Sequence, residues 1–303
     1  MHPTAVRRID RAFDRLTIGI AEVERVWTGG LWLEGPVYFR DSRQLLWSDI
    51  PRQRIMRLTD AGSSDVFRER SQHANGNTRD RQGRLVTCEH SGRRVTRTEL
   101  DGRITVIADQ FDGRALNSPN DVVVRSDGSI WFTDPDYGIL GDYEGRRAPK
   151  EQDGSYVFRW DPTTAALDAV VTDMVQPNGL AFSTDETILY ITDSGITHSP
   201  AGPKHVRAYD VVGGRTLTGG RLVLDIEDRF GDGLRIDEQD NLWVATGAGV
   251  LCATPDGTTL GAIELPEGAS NCVFGGETSN RLFITATRSI YALYLNVRGA
   301  QTP

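Results

Sequence analysis

Six short segments share one pattern: Leu45–Asp49 (LLWSD), Arg84–Glu89 (RLVTCE), Ser129–Asp134 (SIWFTD), Ile188–Asp193 (ILYITD), Asn241–Thr246 (NLWVAT) and Arg281–Ala286 (RLFITA). Aligned on Leu46, Val86, Trp131, Tyr190, Trp243 and Phe283, they are spaced 40, 45, 59, 53 and 40 residues apart. Most follow a turn signal such as Gln82-Gly83, Asp127-Gly128 or Ser279-Asn280. A third strand follows each anchor, as at Arg54–Leu58 and His205–Val211, and most units add a fourth, as at Ile104–Ala108 and Leu260–Leu265. Four strands in a repeat of about 40–50 residues are the mark of a propeller blade. The fold expected is therefore all-β, a six-bladed β-propeller with four-stranded blades. Its last unit stops after three strands. Ala21–Trp27 reads as a strand ahead of the first unit, and it is expected to complete the last blade and close the ring.

Working outward, residues 17–303 form the propeller domain and residues 1–16 an N-terminal helical extension, with Val6, Ile9, Phe13 and Leu16 along one side. The longer periods of the third and fourth units reflect insertions around 138–153 and 197–204. Loops of this kind shape a site on a fixed scaffold.

Composition narrows the function. A net charge of −8, with 34 basic against 42 acidic residues, disfavours nucleic acid as a partner. No apolar run approaches the length of a membrane span, so no membrane partner is expected. The basic start of the chain lacks an apolar stretch of the kind a signal peptide needs, and three scattered cysteines suit a reducing compartment, so a cytoplasmic location is expected. Cys88, Cys252 and Cys272 form no CxxC pair, and Cys272 has no evident His–carboxylate partner; burial as filler is the expectation.

The first strand of every unit starts with an oxygen-bearing side chain, 11 or 12 residues before the anchor: Glu34, Asn75, Asn120, Asn178, Asp232 and Asn271. Asn-Gly and Asp-Gly pairs are ordinary turn formers, but six such residues at one phase of a repeat converge on the propeller axis. Two carboxylates with neutral amide oxygens suit a hard divalent cation, Ca²⁺ first and Mg²⁺, Mn²⁺ or Zn²⁺ as alternatives.

These segments resemble the regucalcin (senescence marker protein)/gluconolactonase family, most closely its bacterial gluconolactonases. The resemblance rests on Leu33-Glu34-Gly35-Pro36, Ser118-Pro119-Asn120-Asp121, the run from Trp131 to Gly138, Gln176-Pro177-Asn178-Gly179 and Gly231-Asp232-Gly233. It implies an axial divalent cation and hydrolysis of a small-molecule sugar lactone. It further implies Glu34, Asn178 and Asp232 as cation ligands, with Asn120 as a further ligand or a substrate contact. Where animal members carry a substrate-contacting Arg, this chain has Ser118, as the bacterial branch does.

In this reading Asp232 is the candidate catalytic base, with Asp121, Asp134 and Glu89 as alternatives. Asn120, Asn75, Asn271, Asp134 and His90 are candidate substrate contacts, and His73 lies near the same phase. Trp131, Tyr190 and Trp243 are expected in the blade core. The competing readings are a phosphotriesterase-like or other metal-dependent esterase on the same fold, and a non-catalytic calcium-binding propeller.

Overall fold

The structure, a computed structural model, describes residues 4–227 and 230–301. Six antiparallel sheets follow one another along the chain as the blades of a propeller. Their innermost strands are Leu33–Phe39, Ala74–Arg79, Val122–Val124, Pro177–Phe182, Gly231–Ile236 and Ala269–Gly275. The ring closes as expected: Glu24–Thr28 pairs with Ser289–Tyr294 as the outer strand of blade 6, with Glu24 opposite Ala292 and Thr28 opposite Ser289.

Successive side chains of a strand point to opposite faces, so a strand held between two neighbouring sheets is apolar on both. This is why LLW and IWF run without alternation. Leu46 packs toward blade 2 while Trp47 packs toward blade 6. Trp131 joins the blade 3–4 core and Phe132 the blade 2–3 core. All six aligned anchors face the following blade, and the core clusters found among the described residues each sit at one blade junction. Trp131, Tyr190 and Trp243 are buried, as the repeat required.

The N-terminal segment departs from expectation. The first three residues of the predicted helix lie outside the described residues. Of the rest, Ala5–Arg8 is a fifth strand on the outer edge of blade 5, paired with Thr259–Glu264, and only Arg11–Arg15 is helical, as a short 3₁₀ turn. Val6 and Ile9 stay largely exposed, at 39% and 49%. An open sheet edge offers backbone partners that an isolated helix of this length cannot match. Phe13 and Leu16 then drop into the blade 5–6 core, where Phe13 lies 6.1 Å from Trp243 and rests on Gly261. This segment is thus a structural part of the propeller rather than an outer appendage. Removing residues 1–16 is therefore expected to destabilise the protein, and Phe13→Ala alone by about 3 kcal/mol. Urea unfolding of both variants checks this.

Candidate active site

Three features of the repeat build the axis. The first is a bulge at the candidate donor. Pairing with the second strand slips between Glu34 and Val37, Ala74 and Asn77, Pro177 and Leu180, Gly231 and Leu234, and Ala269 and Asn271. Bulges re-aim side chains, and here they coincide with Glu34, Asn75, Asn178, Asp232 and Asn271. The second is the glycine after the donor. A Cβ on Gly35 would lie 2.0 Å from the Asn75 carbonyl oxygen, and one on Gly233 would lie 2.0 Å from the Asn271 side chain. Gly35 also sits at φ +51°, which favours glycine. These glycines allow adjacent inner strands to touch, so they are not merely turn formers.

The third feature is the polar end of the second strand. Ser48, Thr133 and Thr192 each donate to the carbonyl of the donor residue in the next blade, Asn75, Asn178 and Asp232, all at 2.7 Å. The acid that follows holds the approach to the donor in its own blade. Asp134 accepts the backbone N–H groups of Asn117 and Ser118 at 2.7 and 2.8 Å, and Asp193 accepts those of Val175 and Gln176 at 2.9 Å. Asp49 does the same for Leu31 at 3.2 Å. Asp134, expected as a substrate contact, has both its oxygens engaged in fixing the segment that leads to Asn120. Glu89 is likewise committed, to Arg68, to Arg94 at 2.7 Å and to Thr96 at 3.0 Å, and is not available as a base.

At the axis the structure brings Glu34, Asp121, Asn178, Asp232 and Asn271 together. Glu34 Oε2 accepts the Gly35 N–H at 2.7 Å and Asn271 Nδ2 at 3.3 Å. Asn271 Nδ2 also donates to Asp121 Oδ2 at 3.2 Å, while its Oδ1 accepts the Cys272 N–H at 2.9 Å. Asn271 therefore presents its nitrogen to the ring and orients carboxylates. That departs from the oxygen-donor ring expected at its position. Asp121 Oδ2 is also 3.3 Å from Arg235 Nη1, a pair almost wholly buried. Arg235 was not singled out in the sequence. The available signal is an Arg flanked by Leu234 and Ile236 on an inner strand, which must find a buried partner.

Electrostatics mark the centre. Burial pushes the carboxyls of Glu34 and Asp232 well above the usual carboxylate range, and their neighbours add to it: Asp121 on Glu34, and Glu34, Glu144 and Asp121 on Asp232. A hydrogen bond from Asn178 partly offsets this at Asp232. Asn120 and Asn178 are each 5% exposed. Among the described residues no group of three or more His, Cys, Asp and Glu is arranged as a metal cluster. The donor set is instead mixed: carboxylate oxygens of Glu34 and Asp232, whose like charges need a counter-charge, with the amides of Asn120 and Asn178. Its chemistry fits a hard divalent cation.

The mouth is built by the two insertions. Tyr137–Leu140 is a short helix, and Tyr137 meets His198 edge-on at 5.4 Å and reaches Thr197 Oγ1 at 2.9 Å. His198 Nε2 lies 2.9 Å from Asp136 Oδ1. Ser118 bonds the same insertion, donating to the Pro135 carbonyl at 2.7 Å and accepting the Gly138 N–H at 2.9 Å, so it serves as a loop anchor. Half-buried Glu144 carries a carboxyl that burial pushes up and that Glu34 and Asp232 both feel. His73 is bonded to Ser91 Oγ at 2.9 Å. Cys272 is buried, its thiol pushed up to about 12, which makes it inert as a nucleophile.

Residues 32–288 match the family described as SMP-30/Gluconolactonase/LRE-like region. The chain belongs to this family. It is 30% identical over 283 residues to a gluconolactonase of Zymomonas mobilis, covering 86% of this chain and 77% of that one. It is 29% identical over 260 residues to the pentonolactonase XacC of Haloferax volcanii, covering 83% and 80%. The solved structure of XC5397 from Xanthomonas campestris, described as a gluconolactonase, superposes with a TM-score of 0.89 at 34% identity, covering 97% of each chain. Among the described residues no helix is long and apolar enough to cross a membrane.

Arg235 is the cation built into this acidic centre. Arg235→Met leaves the buried Asp121 carboxylate without its counter-ion, and is expected to lower stability by about 3–5 kcal/mol. The urea midpoint measures it, and Arg235→Lys should recover part of the loss.

Proposed function

We propose that this protein hydrolyses a sugar lactone with the help of a divalent cation held at the propeller axis by Glu34, Asp232, Asn178 and Asn120. The observation that carries the reading is the convergence of the Glu34 and Asp232 carboxyls, buried beside Asn178 in a family that includes gluconolactonases. When bound there, a divalent cation would polarise a lactone carbonyl and stabilise the oxyanion of the tetrahedral intermediate. The chain supplies the rest. The Asp121–Arg235 pair and Asn271 lie buried below the ring, and substrate would enter from the side of the insertions. Asp232, its carboxylate at the centre, takes a proton from the attacking water. As the bond between the carbonyl carbon and the ring oxygen breaks, that proton goes to the departing oxygen, and the product is the open hydroxy acid. Glu144 and Tyr137, reaching in from the third-blade insertion, supply polar partners for the sugar hydroxyls.

Two measurements test this. After chelation, hydrolysis of glucono-1,5-lactone followed with a pH indicator should fall, and restoring Ca²⁺, Mg²⁺, Mn²⁺ or Zn²⁺ singly should recover it. Glu34→Gln and Asp232→Asn keep side-chain size and remove charge; each should weaken cation binding in calorimetry and lower kcat/KM by at least about a hundredfold, roughly 2.7 kcal/mol. Unchanged cation affinity in both variants would refute the ligand set.

The polar mouth sets the substrate class. A site built to bond hydroxyls leaves its own polar groups unpaired when an apolar analogue enters. kcat/KM for an aldonolactone should therefore exceed that for a phosphotriester or a long-chain acyl lactone by at least about a hundredfold, roughly 2.7 kcal/mol. Side-by-side kinetics decide between them, and equal turnover of a phosphotriester would favour the esterase reading.

A further inference from the structure

His90 and Asn75, both candidate substrate contacts, are joined by a hydrogen bond. Both are buried, His90 completely. Asn75 Nδ2 lies 3.0 Å from His90 Nε2, and His90 Nδ1 lies 2.8 Å from the backbone oxygen of Glu144. A carbonyl oxygen only accepts, so Nδ1 carries the proton in this pair. In the neutral ring Nε2 is then a lone pair, and it takes a hydrogen from the Asn75 amide nitrogen. The amide oxygen necessarily faces the other way. Asn75 Oδ1 is closed off from solvent and has no hydrogen-bond partner among the described residues.

A buried acceptor left unpaired costs about 1–3 kcal/mol. The unpaired oxygen belongs to a residue of the donor ring. Asn75 stands at the phase of Glu34, Asn178 and Asp232, and the inner strands are in contact here, with Gly35 against the Asn75 carbonyl and Gly76 against Asn120. The relay is locked from above. A Cβ on Gly138 would come within 2.5 Å of His90 Cβ, so the third-blade insertion lies directly on the imidazole.

We propose that His90 is a positioning residue: held by the Glu144 carbonyl, it fixes the Asn75 amide so that Oδ1 serves as an additional oxygen in the coordination sphere of the axial divalent cation. The inference rests on the cation reading above and extends it, because it ties the insertion at the mouth to the donor set at the axis. Neither His90 nor Glu144 touches the ion in this scheme.

The test is calorimetric titration of the chelated protein with Ca²⁺, Mg²⁺ and Mn²⁺ singly, using the tightest-binding ion thereafter. Asn75→Ala and His90→Phe are each expected to weaken binding about tenfold, about 1.4 kcal/mol. The double variant should lose no more than either single one, because both remove the same oriented oxygen. His90→Gln, whose side-chain oxygen can accept from Asn75 Nδ2, should restore most of the affinity. In ¹⁵N spectra of the unaltered protein, His90 should show a protonated Nδ1 and a bare Nε2, a signature that a filler role does not require. Should His90→Phe fold poorly, the Asn75→Ala affinity and the His90 tautomer still decide. Affinity unchanged in Asn75→Ala, or a His90 protonated at Nε2, overturns the inference. With Glu34→Gln as the control, loss of binding there and not in Asn75→Ala rejects the positioning role while sparing the cation site. Binding of none of the three ions by the unaltered protein rejects both.

Discussion

The close approach of inner strands at the axis is the constraint on which this molecule depends. At four of the six donors the inner strands converge where there is no room for a side-chain stub at the next residue, so glycine follows Glu34, Asn75, Asn178 and Asp232. With the backbones in contact, the hydroxyls of Ser48, Thr133 and Thr192 reach across blade junctions to the carbonyls of Asn75, Asn178 and Asp232. The bulge at each donor then turns its side chain inward. The packing that closes the ring and the geometry that makes a site are thus one arrangement. A larger residue at Gly233 would strike Asn271, disturbing the blade 5–6 contact and, through the Asn271 amide, the Glu34 carboxylate as well.

Burying several acids at one point has a large electrostatic cost, and the structure meets it in two ways. Below the ring Arg235 and Asn271 satisfy Asp121. At the ring itself burial holds the carboxyls of Glu34 and Asp232 above their ordinary range; Asp121 and Glu144 add to this at Glu34, and Glu34, Glu144 and Asp121 add to it at Asp232. Like charges held this close favour a bound divalent cation, which lowers their mutual repulsion. The structural charges that recur at the ends of the second strands behave differently. Asp49, Asp134 and Asp193 are buried too, but each is saturated by backbone N–H groups or arginine.

This contrast explains what was legible in the sequence. Blade number, ring closure by the strand before the first unit, and the phase of the donors all follow from a repeat, and a repeat is visible without coordinates. Asp134 shares its phase with Asp49 and Asp193, and an acid at the same phase in several blades is a device of the blade. The outer strand Ser64–Glu69 escaped notice because an edge strand with Ser64, Asp65, Arg68 and Glu69 lacks the apolar pattern that marks the inner ones. The N-terminal strand was hidden for a related reason. Val6 and Ile9 look like one face of a helix, and only the open edge of blade 5 makes strand pairing available to them. Arg235 and the amide direction of Asn271 depend on partners more than a hundred residues away in sequence, which no local pattern reveals.

The insertions complete the argument because they break the repeat. A six-fold scaffold places similar groups at similar positions, and by itself it favours a symmetric ion over an asymmetric substrate. The third- and fourth-blade loops remove that symmetry. They put Tyr137 and Glu144 on one side of the axis and are fastened there by Ser118, Gln176 and His198. Ser118 shows how such a change is accommodated. A short hydroxyl at this position bridges Pro135 and Gly138, and a long cationic side chain there could not make the same bridge without displacing the loop. In the proposed reading, recognition of substrate rests on the loops, where polar groups can change without disturbing the contacts that hold the ring together.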